Sequence, residues 1–270
     1  MEKTTLRHWR RTTGEDGICR LVFSKSGSSA NTLSREVLLD LNEHLTAIAN
    51  ERPRGVLIES AKPTGFILGA DVKEFEHVTD AAEGARLAKQ GQDVLARLEA
   101  LPMPTVAVID GFALGGGLEL ALACRYRVAV RGYDRNIGLP EVQLGIHPGF
   151  GGTVRLVRLL GAPRALDLML TGRSLSPVEA HKVGLVDRLA ERDDLDRVAR
   201  ELVDAPPRRQ RAGWWHGALR LKPARHAVAN RIRGAVSKRA DPRHYPAPHA
   251  LLDCLNSDGV ISTPTAWGTL

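Results

Sequence analysis

Short apolar, β-rich runs alternate along this chain with longer stretches of helical period, and that alternation most limits what it can fold into. The runs are Ile18 to Phe23, Gly55 to Ile58 and Thr105 to Ile109, with helix-period segments over Ser34 to Asn50 and Ala81 to Leu101 between them. Such a pattern packs helices against strands in an α/β architecture and argues against an all-helical bundle. Ser34 is placed to cap the first helical segment, in which Val37, Leu38, Leu41, Leu45 and Ile48 form one apolar stripe. Pro102-Met103-Pro104 stops the second helix and hands the chain to the strand Thr105 to Ile109.

Downstream, Gly111 to Gly117 reads as a loop feeding a helix over Leu118 to Ala123, so a triple glycine sits at a strand-to-helix junction. The first N–H groups of a helix lack internal partners, and its dipole favours negative charge there. Tyr126 to Val130 reads as a strand, and Thr153 to Leu160 and Ala162 to Leu170 as helices. Ser176-Pro177-Val178-Glu179 has the form of a capping box. Near residue 205 the composition turns to Pro206-Pro207 and then to basic residues with Trp214 and Trp215. We therefore expect one domain over 1–205 and a basic helical tail over 206–270, with Gly217 to Leu221 and Ala227 to Ser237 helix-compatible.

The 270 residues contain no run of about 18 apolar residues, and Met1 to Arg10 is polar and basic, so a cytoplasmic protein without a membrane span is expected. Cys19, Cys124 and Cys254 are too far apart for a zinc site or a disulfide framework and read as reduced, buried thiols. Of the net charge of +7, much comes from ten basic residues between Arg208 and Arg239. That stretch lacks the aromatic interleaving of a strand-binding platform, so no nucleic-acid partner is expected; a solvated face or an anionic partner fits it better. His147 sits beside Pro148-Gly149 without a second spaced ligand, which leaves no metal site. Ser28, Ser29 and Ser174 lack the Gly-x-Ser-x-Gly elbow of a serine hydrolase.

The chemistry lies elsewhere. Glu119 follows Gly115-Gly116-Gly117-Leu118, and Glu141 follows Gly138-Leu139-Pro140. A carboxylate behind bare glycine backbone, where a substrate can approach exposed N–H groups, is suited to proton transfer. The stretch Gly65 to Asp71 supplies a second glycine-bounded turn. Two such turns, each aiming one N–H into a shared cavity, are what an oxyanion hole requires. Singly, each glutamate has a plain alternative: Glu119 as a helix dipole partner, Glu141 as a surface helix start, and Asp71 reads as a cap for the following helix.

Taken together, these residues resemble the enoyl-CoA hydratase/isomerase, or crotonase, superfamily. The resemblance rests on Asn31-Thr32-Leu33, Gly69 to Phe75, Gly111 to Glu119, Gly138 to Glu141 and Gly145 to Leu156, and it covers roughly residues 15 to 200. Leu139 to Gly149 and Ala165 to Arg173 look like the hydratase half of the α-subunit of the bacterial fatty acid oxidation complex, and His244-Tyr245-Pro246-Ala247-Pro248 resembles the linker after that half. In that family a 3-hydroxyacyl-CoA dehydrogenase with a Gly-x-Gly-x-x-Gly fingerprint follows. No such fingerprint occurs before Leu270, so NAD is not expected here.

The resemblance implies the crotonase spiral of ββα units with a helical C-terminal extension. It implies Ala70 and Gly116 as backbone donors to the thioester oxygen, Glu119 and Glu141 as the catalytic carboxylates, and Gly69, Asp71, Gly115, Pro140 and Gly149 as substrate-binding positions. No cofactor is implied beyond the coenzyme A carried by the substrate. The implied reaction is hydration of trans-2-enoyl-CoA, with Δ3-Δ2 isomerisation as a second activity. The implied partners are an acyl-CoA thioester and either further copies of the chain or a thiolase β-subunit. Glu119 is assigned as base and Glu141 as acid, an order that sequence leaves open for two carboxylates sharing one water. A rival reading is an assembly subunit that binds acyl-CoA without turning it over; thioester hydrolysis or decarboxylation is another.

Overall fold

A computed structural model describes residues 8–75, 80–134, 136–207, 222–237 and 245–256. Trp214, Trp215, Trp267, His244, the expected helix Gly217 to Leu221 and most of the basic run from Arg208 lie outside the described residues. Two sheets organise the rest. The larger runs in the order β1 (Trp9–Thr13), β2 (Ile18–Phe23), β3 (Gly55–Ser60), β5 (Thr105–Ile109), β7 (Tyr126–Val130), β10 (Arg188–Ala190). All its pairings are parallel except β1 with β2. The smaller contains β4 (Gly65–Ile67), β6 (Phe112–Leu114), β8 (Ile137–Gly138) and β9 (Ser174–Leu175), with only β8 and β9 antiparallel.

The ββα repetition is plain in this arrangement. The pairs β3/β4, β5/β6 and β7/β8 each give one strand to the large sheet and the next to the small one. Helices α2 (Val72–Phe75) and α3 (Ala81–Glu99) follow the first pair and α4 (Gly116–Ala123) the second. After the third come a single 3-10 turn, Glu141–Leu144, and helix α5 (Gly152–Leu160). Because each unit advances both sheets by one strand, the loops between β4, β6 and β8 and their helices gather at one edge of the small sheet.

Helix α1 (Arg35–Glu51) begins at its expected cap, where the Ser34 hydroxyl accepts from the Val37 N–H, and it buries the whole predicted stripe. Ser176 and Glu179 close their capping box at the start of α7 (Pro177–Val183). Helices α6 (Ala162–Thr171) and α8 (Leu195–Asp204) complete the main body. Cys19 and Cys124 are free and buried. The described parts of the expected tail, α9 (Lys222–Ser237) and α10 (Pro246–Asn256), do not stand apart: Ala229, Leu251 and Leu252 join the same apolar core as Leu41, Ile58 and Leu95. Among the described residues no helix is long and apolar enough to cross a membrane.

One segment differs from its expectation. Gly111 to Gly117 is not a loop: it contains β6, and α4 starts at Gly116 rather than Leu118. Packing overrides the poor helix propensity of glycine here. A Cβ on Gly117 would lie 2.3 Å from the Ile67 carbonyl oxygen, so only glycine lets α4 press against β4.

Candidate active site

The site grows from the ends of the neighbouring parallel strands β4 and β6. A lone parallel bridge joins Leu33 to Ala70, in which the Leu33 N–H donates to Gly69 O and the Asp71 N–H to Leu33 O. Ala70 itself uses neither of its groups in that bridge, so its N–H points to the opposite side. There it meets the start of α4. The Gly115 carbonyl accepts the first helical bond, from the Glu119 N–H at 3.0 Å, while the Gly116 N–H is one of the donors a helix start leaves without an internal acceptor. A Cβ on Gly116 would be 3.3 Å from the Ala70 nitrogen, and one on Gly69 3.8 Å from the Gly116 nitrogen. The two candidate donors are thus neighbours.

Glu119 lies in the first turn of α4 with its carboxylate turned toward the start of α5. Its Oε1 accepts from the Phe150 N–H at 2.8 Å and the Gly152 N–H at 2.7 Å. Glu141 opens the 3-10 turn behind Pro140 and is buried as well, yet among the described residues no other residue donates to either of its side-chain oxygens. Gly115 accommodates it: a Cβ there would stand 3.2 Å from Glu141 Oε1.

These unlike surroundings separate two identical side chains. Burial pushes Glu119 up to about 7, opposed by the Gly152 and Phe150 N–H groups and by the Arg155 charge, which favour the carboxylate. Burial first, and then the charge of Glu119, pushes Glu141 up to about 8. The titration belongs to the pair, and two carboxylates facing one cavity favour the sharing of a proton. Two N–H donors and the Arg155 charge favour ionised Glu119, against its own backbone N–H alone for Glu141, which favours placing a shared proton on Glu141.

Both carboxylates face a cavity of about 840 Å³, within the range of pockets that bury a sizeable ligand. Ala70, Gly116 and each of the predicted substrate positions Gly69, Asp71, Gly115, Pro140 and Gly149 line it. Asp71 takes the capping part expected of it, its Oδ1 accepting from the Lys73 N–H at 3.2 Å, while its Oδ2 pairs with Lys25. His147 lies on the wall, its ring nitrogen Nδ1 3.1 Å from the Pro148 carbonyl. Sequence reasoning did not single out the donors Phe150 and Gly152, although both stand in the glycine-rich motif after Gly145. It also missed the wall that α10 contributes through Pro246, Ala247 and Ala250. Their spacing of one helical turn was the available signal.

A spiral of ββα units whose glycine turns bring two backbone donors beside a pair of buried glutamates is the crotonase fold with a candidate acid/base site. The chain belongs to the enoyl-CoA hydratase/isomerase family, whose sequence profile matches residues 13–211. It is 38% identical over 260 residues to the fatty acid oxidation complex subunit alpha of Shewanella halifaxensis, a match covering 94% of this chain and 36% of that protein. The corresponding protein of Shewanella loihica is 39% identical over 246 residues, covering 89% of this chain and 35% of the relative. The chain therefore spans about a third of the length of these curated relatives. Among solved structures, the enoyl-CoA hydratase from Bacillus anthracis superposes with a TM-score of 0.68 at 29% identity, over 92% of this chain and 90% of that one.

Proposed function

We propose that this chain adds water across the double bond of trans-2-enoyl-CoA thioesters, giving 3-hydroxyacyl-CoA, as a step of fatty acid β-oxidation. The observation that carries the reading is the asymmetry of the glutamate pair beside two backbone donors. The thioester carbonyl oxygen binds the N–H groups of Ala70 and Gly116. Ionised Glu119 takes a proton from a water whose oxygen bonds to Cβ, and the π electrons collect on the thioester oxygen as an enolate. Neutral Glu141 then delivers its proton to Cα, restoring the carbonyl. The cycle closes when the proton gained by Glu119 returns to Glu141, either directly or through the next water. Two donors aimed at the enolate oxygen are the largest electrostatic contribution, each worth roughly 3 kcal/mol of barrier.

Family membership and the relatives' names support this substrate class. Those relatives are named as subunits of a complex, which supports assembly with other chains; copies of this one or a thiolase β-subunit are the partners proposed. Loss of enoyl-thioester absorbance with crotonyl-CoA tests the reaction, and mass analysis of the product separates hydration, which adds one water with CoA retained, from hydrolysis. Glu119→Gln and Glu141→Gln should each lower kcat by about 10²- to 10⁴-fold. A folded wild-type protein that leaves crotonyl-CoA and longer enoyl-CoA thioesters unchanged would falsify the proposal.

A further inference from the structure

We infer that Arg155 is a positioning residue for Glu119, acting through the Phe150–Gly152 turn and through its own charge, with Glu99 holding it in place. Arg155 does not touch Glu119. Its Nη1 donates to the Phe150 carbonyl at 2.8 Å, and the N–H groups of Phe150 and Gly152 in that same turn grip Glu119 Oε1. Its Nε donates to Glu99 Oε2 at 2.8 Å, which ties α5 to the C-terminal end of α3. Arg155 and Glu99 side chains are 9% and 16% exposed, so this is a largely desolvated pair whose charge is weakly screened.

The turn is shaped around the guanidinium. Gly151 sits at φ +99°, and a Cβ there would lie 2.5 Å from Arg155 Nη1. Arg155 also stands in the first turn of α5, whose N-terminal end already presents Gly152 to the carboxylate. The cation therefore adds to the dipole of its own helix, and both favour ionised Glu119. Other titratable or charged groups near this region are Glu141 in the 3-10 turn, His147 on the cavity wall, Arg158 on α5, half-buried and in the field of Glu99, and Arg127 on β7, held by Asp187. Arg155 is the cation bonded directly to the Phe150 carbonyl of the turn that grips Glu119.

The consequence for turnover rests on the hydration reading above; the effect on Glu119 itself does not. Titrating ¹³C-labelled glutamate carboxyls by NMR, with Glu119 assigned by the loss of its signal in Glu119→Gln, reads the effect directly. Arg155→Met should move the Glu119 midpoint up by about one pH unit, in line with loss of a nearby opposite charge. Glu99→Gln breaks the same ion pair and leaves the cation, so the midpoint should stay or fall. That opposition is the decisive feature, because damage to the fold would move both variants alike. In the hydration assay the acidic limb of the kcat profile should follow the midpoint, rising in Arg155→Met and not in Glu99→Gln. Arg155→Lys, which keeps a cation without the two-pronged grip, should hold the midpoint nearer wild type than Arg155→Met and still lower kcat more than it changes KM. Equal shifts in Arg155→Met and Glu99→Gln, or no movement in Arg155→Met, would overturn the inference, whether or not the protein hydrates enoyl-CoA.

Discussion

Glu141→Gln should cost the protein its activity and give it stability, and the gain should depend on pH. Glu141 is buried, receives no hydrogen bond from another residue among the described residues and is pushed up from the ordinary 4.5 to about 8. In the unfolded chain it ionises freely. Between those values the folded state binds more protons than the unfolded one, so wild-type stability falls as pH rises through the window. The gap, at ~1.4 kcal/mol per pKa unit, sets a ceiling of about 5 kcal/mol, of which about 4 kcal/mol falls between pH 5 and pH 9. Glutamine has nearly the shape of the neutral acid and does not titrate. Urea melts of wild type and Glu141→Gln should therefore agree within about 1 kcal/mol at pH 5 and diverge at pH 9, the variant being more stable by roughly 2 to 4 kcal/mol. A difference independent of pH, or a variant less stable than wild type at pH 9, would refute the idea that the fold keeps this carboxyl protonated.

Gly152 opens α5 in helical backbone, and an added Cβ would lie 2.9 Å from both Cγ and Oε1 of Glu119. Gly152→Ala should therefore fold normally, the gain in helix propensity offsetting the crowding to within about 1.5 kcal/mol. It should still lose roughly 10- to 100-fold in kcat, because the base is displaced from its water; unchanged turnover would show that Glu119 has slack. Arg127 is buried beneath α4, its guanidinium donating to the carbonyls of Ala121, Cys124 and Leu185 and to Asp187. Arg127→Met strands the Asp187 carboxylate and those carbonyls, and should cost about 3 to 5 kcal/mol in chemical denaturation.

What sequence made legible follows the length of the elements. Thr105 to Ile109 and Tyr126 to Val130 are strands over just those residues and buried throughout. In a parallel sheet covered on both faces, such strands read as continuous apolar runs. The small sheet escaped, because strands of two or three residues such as β8 and β9 carry no period to detect. For the same reason Gly111 to Gly117 read as a loop when it held a strand and a helix start. β1 was missed differently: it lies at a sheet edge with one buried residue, Trp9, among polar neighbours. Its place is held by contacts remote in sequence, the Asp40 carboxylate accepting from the His8 and Trp9 N–H groups.

Both glutamates stood out in the sequence and the structure brings them to one cavity, but nothing in the local sequence around either one sets its charge. The difference is made in three dimensions, by whatever each carboxylate finds opposite it. Glu119 finds the start of α5, two N–H groups and a cation held by Glu99; Glu141 finds Gly115 and the charge of Glu119. Exchanging the two residues' roles would require moving α5, not changing either glutamate. In the proposed mechanism the acid/base assignment is thus a property of how the third ββα unit packs on the second, and the glycines at 115, 116, 151 and 152 are where that packing would crowd an added Cβ.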